Sequence, residues 1–102
     1  MKRIVATIAC TLALAMSFAL ADAQPWRWQG TQQNTYGWQL MTPQERIGHQ
    51  AKMRSFTDYA ACTEYVNQHH QQMAARAKEK GYTVPLVRRN PCDMLKERGM
   101  LR

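Results

Sequence analysis

TDYAACTEYVNQHHQQMAARAKEKG, residues Thr57 to Gly81, reads as one long helix with both ends marked. Tyr59, Cys62, Val66, His69, Met73 and Ala77 recur in steps of three and four, so they share one helical face. Thr57 or Asp58 supplies the N-cap. Arg76, Lys78 and Lys80 crowd the last turn, where cations suit the helix dipole. Gly81 stops the helix in a left-handed cap, with Tyr82 placed to pack back.

Upstream, Thr42-Pro43-Gln44-Glu45 is a helix start: Thr42 caps, Pro43 fits the first helical position and Glu45 completes a capping box. This helix runs from Pro43 to about Arg54, with Gly48 weakening its middle and Ile47, Ala51 and Met53 facing inward. Only Ser55-Phe56-Thr57 separates it from the long helix, so the two form an antiparallel helical hairpin. Downstream, Thr83 to Arg89 is an extended return. Asn90-Pro91-Cys92-Asp93 then starts a short third helix, which reaches Arg98 and ends at Gly99.

The first residues carry a sorting signal. Lys2 and Arg3 precede an uncharged apolar run from Ile4 to Leu20, followed by Ala19-Leu20-Ala21 and Ala21-Asp22-Ala23. That order predicts a secretory signal cut after Ala23, alternatively after Ala21. A membrane anchor is the competing reading, but the run is rich in Ala and Thr and a cleavage site follows it. The processed chain begins at Gln24 and is periplasmic or secreted. Its core is thin: nine Leu, Ile, Val and Phe residues among 79, a fraction at which disorder is expected without a staple or a partner. Cleavage removes Cys10 and leaves Cys62 and Cys92, which in an exported chain read as one disulfide. A reactive thiol pair and a metal site are the alternatives. Cys62 to Lys80 climbs roughly 27 Å of helix, and a return of about ten extended residues covers roughly 33 Å, so the two sulfurs can meet. Closing a loop of about thirty residues stabilises by roughly 3.5 kcal/mol on the chain-entropy model.

Residues 24–39 are Gln-rich, hold Trp26, Trp28 and Trp38, and show no apolar period, so they read as a flexible arm. Trp26 and Trp28 flanking Arg27 suit a membrane interface or an aromatic-lined partner groove. The alternative is that Trp38 and Tyr36 fold back over the helices. Losing Lys2, Arg3 and Asp22 takes the net charge from +7 to +6. Outside the cytoplasm that favours anionic lipid surfaces, acidic polysaccharide or acidic proteins over nucleic acid, or simply keeps a small protein soluble. His69-His70-x-x-Met73 is the sequence's nearest approach to a metal site. With His49 and Met53 from the first helix it offers imidazole and thioether ligands suited to copper. No carboxylate joins that set, and His69 and Met73 also lie on the apolar stripe as packing residues. Ser55 is the sole serine of the processed chain and sits in a break. There is no glycine-rich phosphate loop and no carboxylate pair in a pocket, so an enzyme is not expected.

Tyr36-Gly37-x-x-Leu40-Met41-Thr42-Pro43-x-Glu45-Arg46, followed by Gln68-His69-His70-x-x-Met73-x-x-Arg76-Ala77-x-x-x-Gly81, resembles a group of uncharacterised small exported proteins of Gram-negative bacteria. More distantly, Met41-Thr42-Pro43-Gln44-Glu45 is similar to the Leu-Thr-x-x-Gln motif of the Spy/CpxP family, with Met for the Leu and Glu for the final Gln, and with no second copy. That resemblance implies a helical, often dimeric periplasmic protein acting as an ATP-independent chaperone, an envelope-stress regulator or a metal-resistance accessory. The expected function is therefore a periplasmic interaction protein, chaperone-like, that takes a protein partner or unfolded clients on an adaptable Met- and Tyr-lined face. So small a core also points to self-association, with a homodimer as the simplest form. Copper binding and attachment to anionic envelope surfaces are the two alternatives.

Overall fold

The computed structural model describes residues 26–102. The signal stretch, both cleavage points and Cys10 lie outside them. Among the described residues there are three α-helices and no strand: α1 (Pro43–Ser55), α2 (Tyr59–Lys80) and α3 (Pro91–Glu97), with a short 3-10 turn at Trp38–Leu40 before α1. Each helix starts where a side chain satisfies its first amides. Thr42 Oγ1 accepts the Glu45 amide at 3.1 Å while Glu45 Oε1 accepts the Thr42 amide at 2.8 Å, a complete capping box. Asp58 takes the Ala61 amide at 2.8 Å, and Asn90 takes the Cys92 amide at 2.8 Å. At the other end of α2, Gly81 is left-handed at φ 64° and the Tyr82 amide reaches back to the Ala77 carbonyl at 2.9 Å, as a Schellman stop requires.

α1 and α2 run antiparallel. Phe56 lies against Tyr65 near the turn, His49 against His69 in the middle, and Glu45 against Arg76 at the far end. The stripe expected on α2 faces inward: Cys62, His69, Met73 and Ala77 are buried, and Tyr59 and Val66 are half-buried. The extended return brings α3 across α2, and Cys62 and Cys92 form a disulfide with Cα atoms 5.9 Å apart. Both cysteines are wholly buried, in one core with Trp28, Met53, Leu95 and Leu101. Residues 101–102 close this core from below. The Arg102 amide donates to the Thr57 carbonyl at 2.9 Å and the Tyr59 amide donates to the Arg102 carbonyl at 3.0 Å, so Leu101 plugs the α1–α2 junction.

Two expectations are corrected. Residues 26–39 are not a flexible arm: Trp28 is 1% exposed, and Thr35 and Gly37 are buried. The segment lies along the hairpin, held by a ladder of α1 side chains spaced four apart. Arg46 donates to the Trp38 carbonyl at 2.8 and 3.0 Å, the Gly30 amide donates to Gln50 at 2.9 Å, and Arg54 donates to the Trp28 carbonyl at 2.7 Å. A chain without secondary structure must find partners for its backbone groups before it can be buried, and this ladder supplies them. The same contacts explain the second correction. Ile47 is 68% exposed and Ala51 is exposed, whereas Met53 is buried as expected, together with His49. With Glu45, His49 and Met53 turned to α2 and Arg46, Gln50 and Arg54 turned to the docked segment, Ile47 and Ala51 are left on the outer face.

Candidate functional site

The docked segment meets α2 residue by residue. Tyr36 stacks on His70 with ring centroids 3.7 Å apart and planes 14° apart. Gly37, at φ 77°, lies so close to Met73 that a Cβ there would come within 2.5 Å of the Met73 Cβ. Arg76 donates to the Leu40 carbonyl at 2.9 Å and grips both oxygens of Glu45 at 2.7 and 2.9 Å. Arg46 also lies over the Trp38 ring at 4.8 Å. Met41 and Ala77 are buried beside this seam. The residues spaced as Tyr-Gly, Leu-Met-Thr-Pro-x-Glu-Arg and His-His-x-x-Met-x-x-Arg-Ala are therefore the two halves of one docking interface. Arg76 hydrogen bonding, with help from the Thr42 backbone, holds the Glu45 carboxyl down at about 2, so this pair stays ionised throughout the usual pH range.

The five residues expected to gather round a metal are distributed over that interface and the core. His49 and His69 do meet, with centroids 4.4 Å apart and planes 30° apart. His49 shares its Nδ1 with the Tyr65 hydroxyl at 2.8 Å and takes the Trp28 ring edge-on at 5.7 Å. A metal ion lies in the plane of each imidazole that ligates it, so two stacked rings do not aim at one ion as they stand. His70 is exposed under Tyr36, Met73 is buried under Gly37, and Met53 is buried with Trp28. Among the described residues no group of three or more His, Cys, Asp or Glu side chains is placed to hold a metal. Burial, followed by the neighbouring His69, depresses the His49 pKa to about 4, and burial also lowers that of His69. Both are neutral packing groups at pH 7. Trp28 Nε1 and His69 Nε2 are buried without a hydrogen-bond partner.

Of the aromatic residues expected to touch a membrane or partner, Trp28 is in the core and Trp38 is half-buried beneath Arg46. Trp26 remains 42% exposed, with the Arg98 guanidinium 3.9 Å above its ring. Arg27 beside it is exposed. Together with Arg54 they border a cleft of about 360 Å³ whose walls are Met53, Phe56, Leu95 and Met100. Lys52 lies over Phe56 at 5.3 Å. Four carboxylates are engaged elsewhere, Glu45 by Arg76, Glu97 by Arg89 at 2.9 Å, Asp93 by the Tyr59 hydroxyl at 2.5 Å, and Asp58 by the cap of α2, while Glu64 and Glu79 are exposed on α2. Arg54, Arg98 and Met100 were not singled out by sequence, because nothing local says that α3 brings Arg98 over Trp26. The one available signal was the Gly99-Met100-Leu101 run after a capped helix, which places an apolar residue to pack back.

No protein-family profile, curated protein or solved structure matches the chain. Among the described residues no helix is long and apolar enough to cross a membrane.

Proposed function

We propose that this chain is an exported, non-catalytic interaction protein of the bacterial periplasm that binds anionic partners through the corner built by Trp26, Arg27, Arg54 and Arg98. The observation that carries this is the pairing of an exposed indole with guanidinium groups that meet no carboxylate among the described residues, on a surface where Glu45, Asp58, Asp93 and Glu97 are engaged elsewhere. The net charge of +6 left after signal cleavage speeds capture of acidic surfaces in the same direction. The buried disulfide and the small core fit a scaffold that presents a surface rather than a pocket for chemistry. A chaperone-like use of the Met-lined face requires residues 26–41 to lift away, since Met41, Met53 and Met73 are buried beneath or beside them. A copper site requires His49 and His69 to unstack.

The test is retention of the processed protein by washed envelope fractions at low and high salt, beside the double variant Arg27→Glu with Arg98→Glu. Wild type is retained at low salt and released as salt screens the contact, while the variant is not retained. Equal retention of the two proteins removes this function.

A further inference from the structure

We infer that the anionic partner at this corner is a phospholipid bilayer surface, with the cleft taking apolar chain atoms and the surrounding cations taking headgroup phosphates. This rests on the anion-binding reading above and adds which class of anion is bound. The floor of the cleft is apolar: Trp28 and Met53 are each 1% exposed and Leu95 is 3% exposed. Its lip carries Trp26 and Met100, each 42% exposed. An acidic polysaccharide wants hydrogen-bonding groups along its track, and an acidic peptide wants donors for its backbone. This cleft offers Thr57 and otherwise hydrocarbon, aromatic rings and thioethers inside a cationic border. Phospholipid matches both parts at once, because it brings an anionic head and an apolar chain in one molecule.

The arrangement of the cations points the same way. Arg27 comes from the docked segment, Lys52 and Arg54 from α1, Arg98 from the end of α3, and Arg102 lies where its backbone pairs with Thr57 on the cleft wall. A small anion is held by groups converging on one point, whereas a surface of many headgroups is met by cations spread around a rim. Tryptophan at such a rim sits at headgroup depth, half in water and half in hydrocarbon. The contact is that of a protein lying on a membrane, and it needs no spanning segment. Each Lys or Arg near an anionic leaflet adds about five-fold to partitioning at moderate salt.

The experiment uses protein recovered from the cell envelope, with its first residue read by mass spectrometry. It is mixed with vesicles of phosphatidylglycerol and phosphatidylethanolamine, and separately with phosphatidylcholine vesicles, and followed by co-sedimentation and tryptophan emission. Wild type co-sediments with the anionic vesicles and its emission shifts to the blue, and both effects reverse in high salt. Arg27→Glu with Arg98→Glu lowers partitioning by about twenty-fold or more, and Trp26→Ala removes most of the shift while far-UV circular dichroism is unchanged. Should the double variant lose helix, Arg27→Glu alone, at an exposed side chain, carries the comparison with a loss of about five-fold or more. Equal binding to both vesicle types, or vesicle binding untouched by the arginine changes, overturns the assignment. Salt-sensitive binding to a soluble acidic polysaccharide without binding to vesicles also overturns it, yet leaves the anion-binding function standing. Binding to neither probe ends both.

Discussion

Gly37 is the residue whose identity is most narrowly fixed. Its φ of 77° lies in the left-handed region, and an added Cβ would stand 2.5 Å from both the Cβ and the Cγ of Met73. The first fact costs a non-glycine residue roughly 1–2 kcal/mol, and the second forces a buried helix side chain or the whole docked segment to shift. Gly37→Ala is therefore expected to destabilise the fold by about 2–3 kcal/mol, read as a lower urea midpoint with unchanged slope. A change under about 0.5 kcal/mol means that the segment does not dock as described. Gly48 is the internal control. It lies inside α1 with nothing within 4 Å of its would-be Cβ, so Gly48→Ala removes only backbone freedom and should stabilise by about 0.5–1 kcal/mol. Two glycine substitutions of opposite sign in one small protein separate close approach from flexibility.

At the level of elements, the seam between α1, α2 and the docked segment is held at its centre by His49 and His69. Facing them are Tyr65 and His70 from α2, Trp28 and Tyr36 from the segment, and the Glu45–Arg76 pair nearer the end of the hairpin. Among the described residues neither imidazole hydrogen-bonds to a carboxylate. The His49 pKa is about 4 in the fold against 6.5 unfolded, so between those values the unfolded chain binds the extra proton. Stability is then complete above about pH 6.5 and falls as pH drops toward 4, by about 3 kcal/mol from His49 at most, with His69 adding in the same direction. Glu45, held at about 2, contributes stability that is present above its ordinary carboxyl range and lost below it, so its loss comes at lower pH. Urea midpoints taken from pH 7 to pH 4 should fall, and His49→Phe should flatten that slope. A profile level from pH 7 to 4.5 contradicts the buried neutral pair. The helices themselves were legible in sequence because caps, prolines and glycine stops are local signals: Thr42, Asp58, Gly81, Asn90 and Gly99 each stand where an element begins or ends. The inner face of α1 was legible only in part, at Met53. Its Arg46, Gln50 and Arg54 look like ordinary solvent residues until a distant segment with unpaired backbone groups comes to lie on them, and Ile47 then looks buried by default. Cys62, His69, Met73 and Ala77 could be read because α2 packs on one side with apolar period, as a helix in a hairpin does.

For the molecule as a whole, the balance between core and crosslink decides whether any of these surfaces exists. The buried side chains are few, and two of the six that form the central cluster are Cys62 and Cys92 themselves. Their bond closes a separation of 30 residues, worth about 3.5 kcal/mol through the entropy of the unfolded chain. That is a large share of what so small a domain can hold. The bond also fixes α3, and α3 carries Leu95 to the core, Arg98 to Trp26, and Leu101 and Arg102 to the α1–α2 junction. Reduction should therefore do more than lower stability uniformly. The Cys62→Ala, Cys92→Ala variant leaves two small cavities besides the lost constraint, and is expected to lose the ordered environment of Trp26 and Trp28 before the helical signal of α1 and α2 disappears. Near-ultraviolet circular dichroism should thus fall at a lower temperature than far-ultraviolet circular dichroism in that variant, while the two coincide in the oxidised protein. Coincident transitions in the variant, at the oxidised protein's midpoint, show that the α1–α2 hairpin and its docked segment stand without the crosslink. In that case the corner at Trp26 owes its geometry to the Arg46, Gln50 and Arg54 ladder alone.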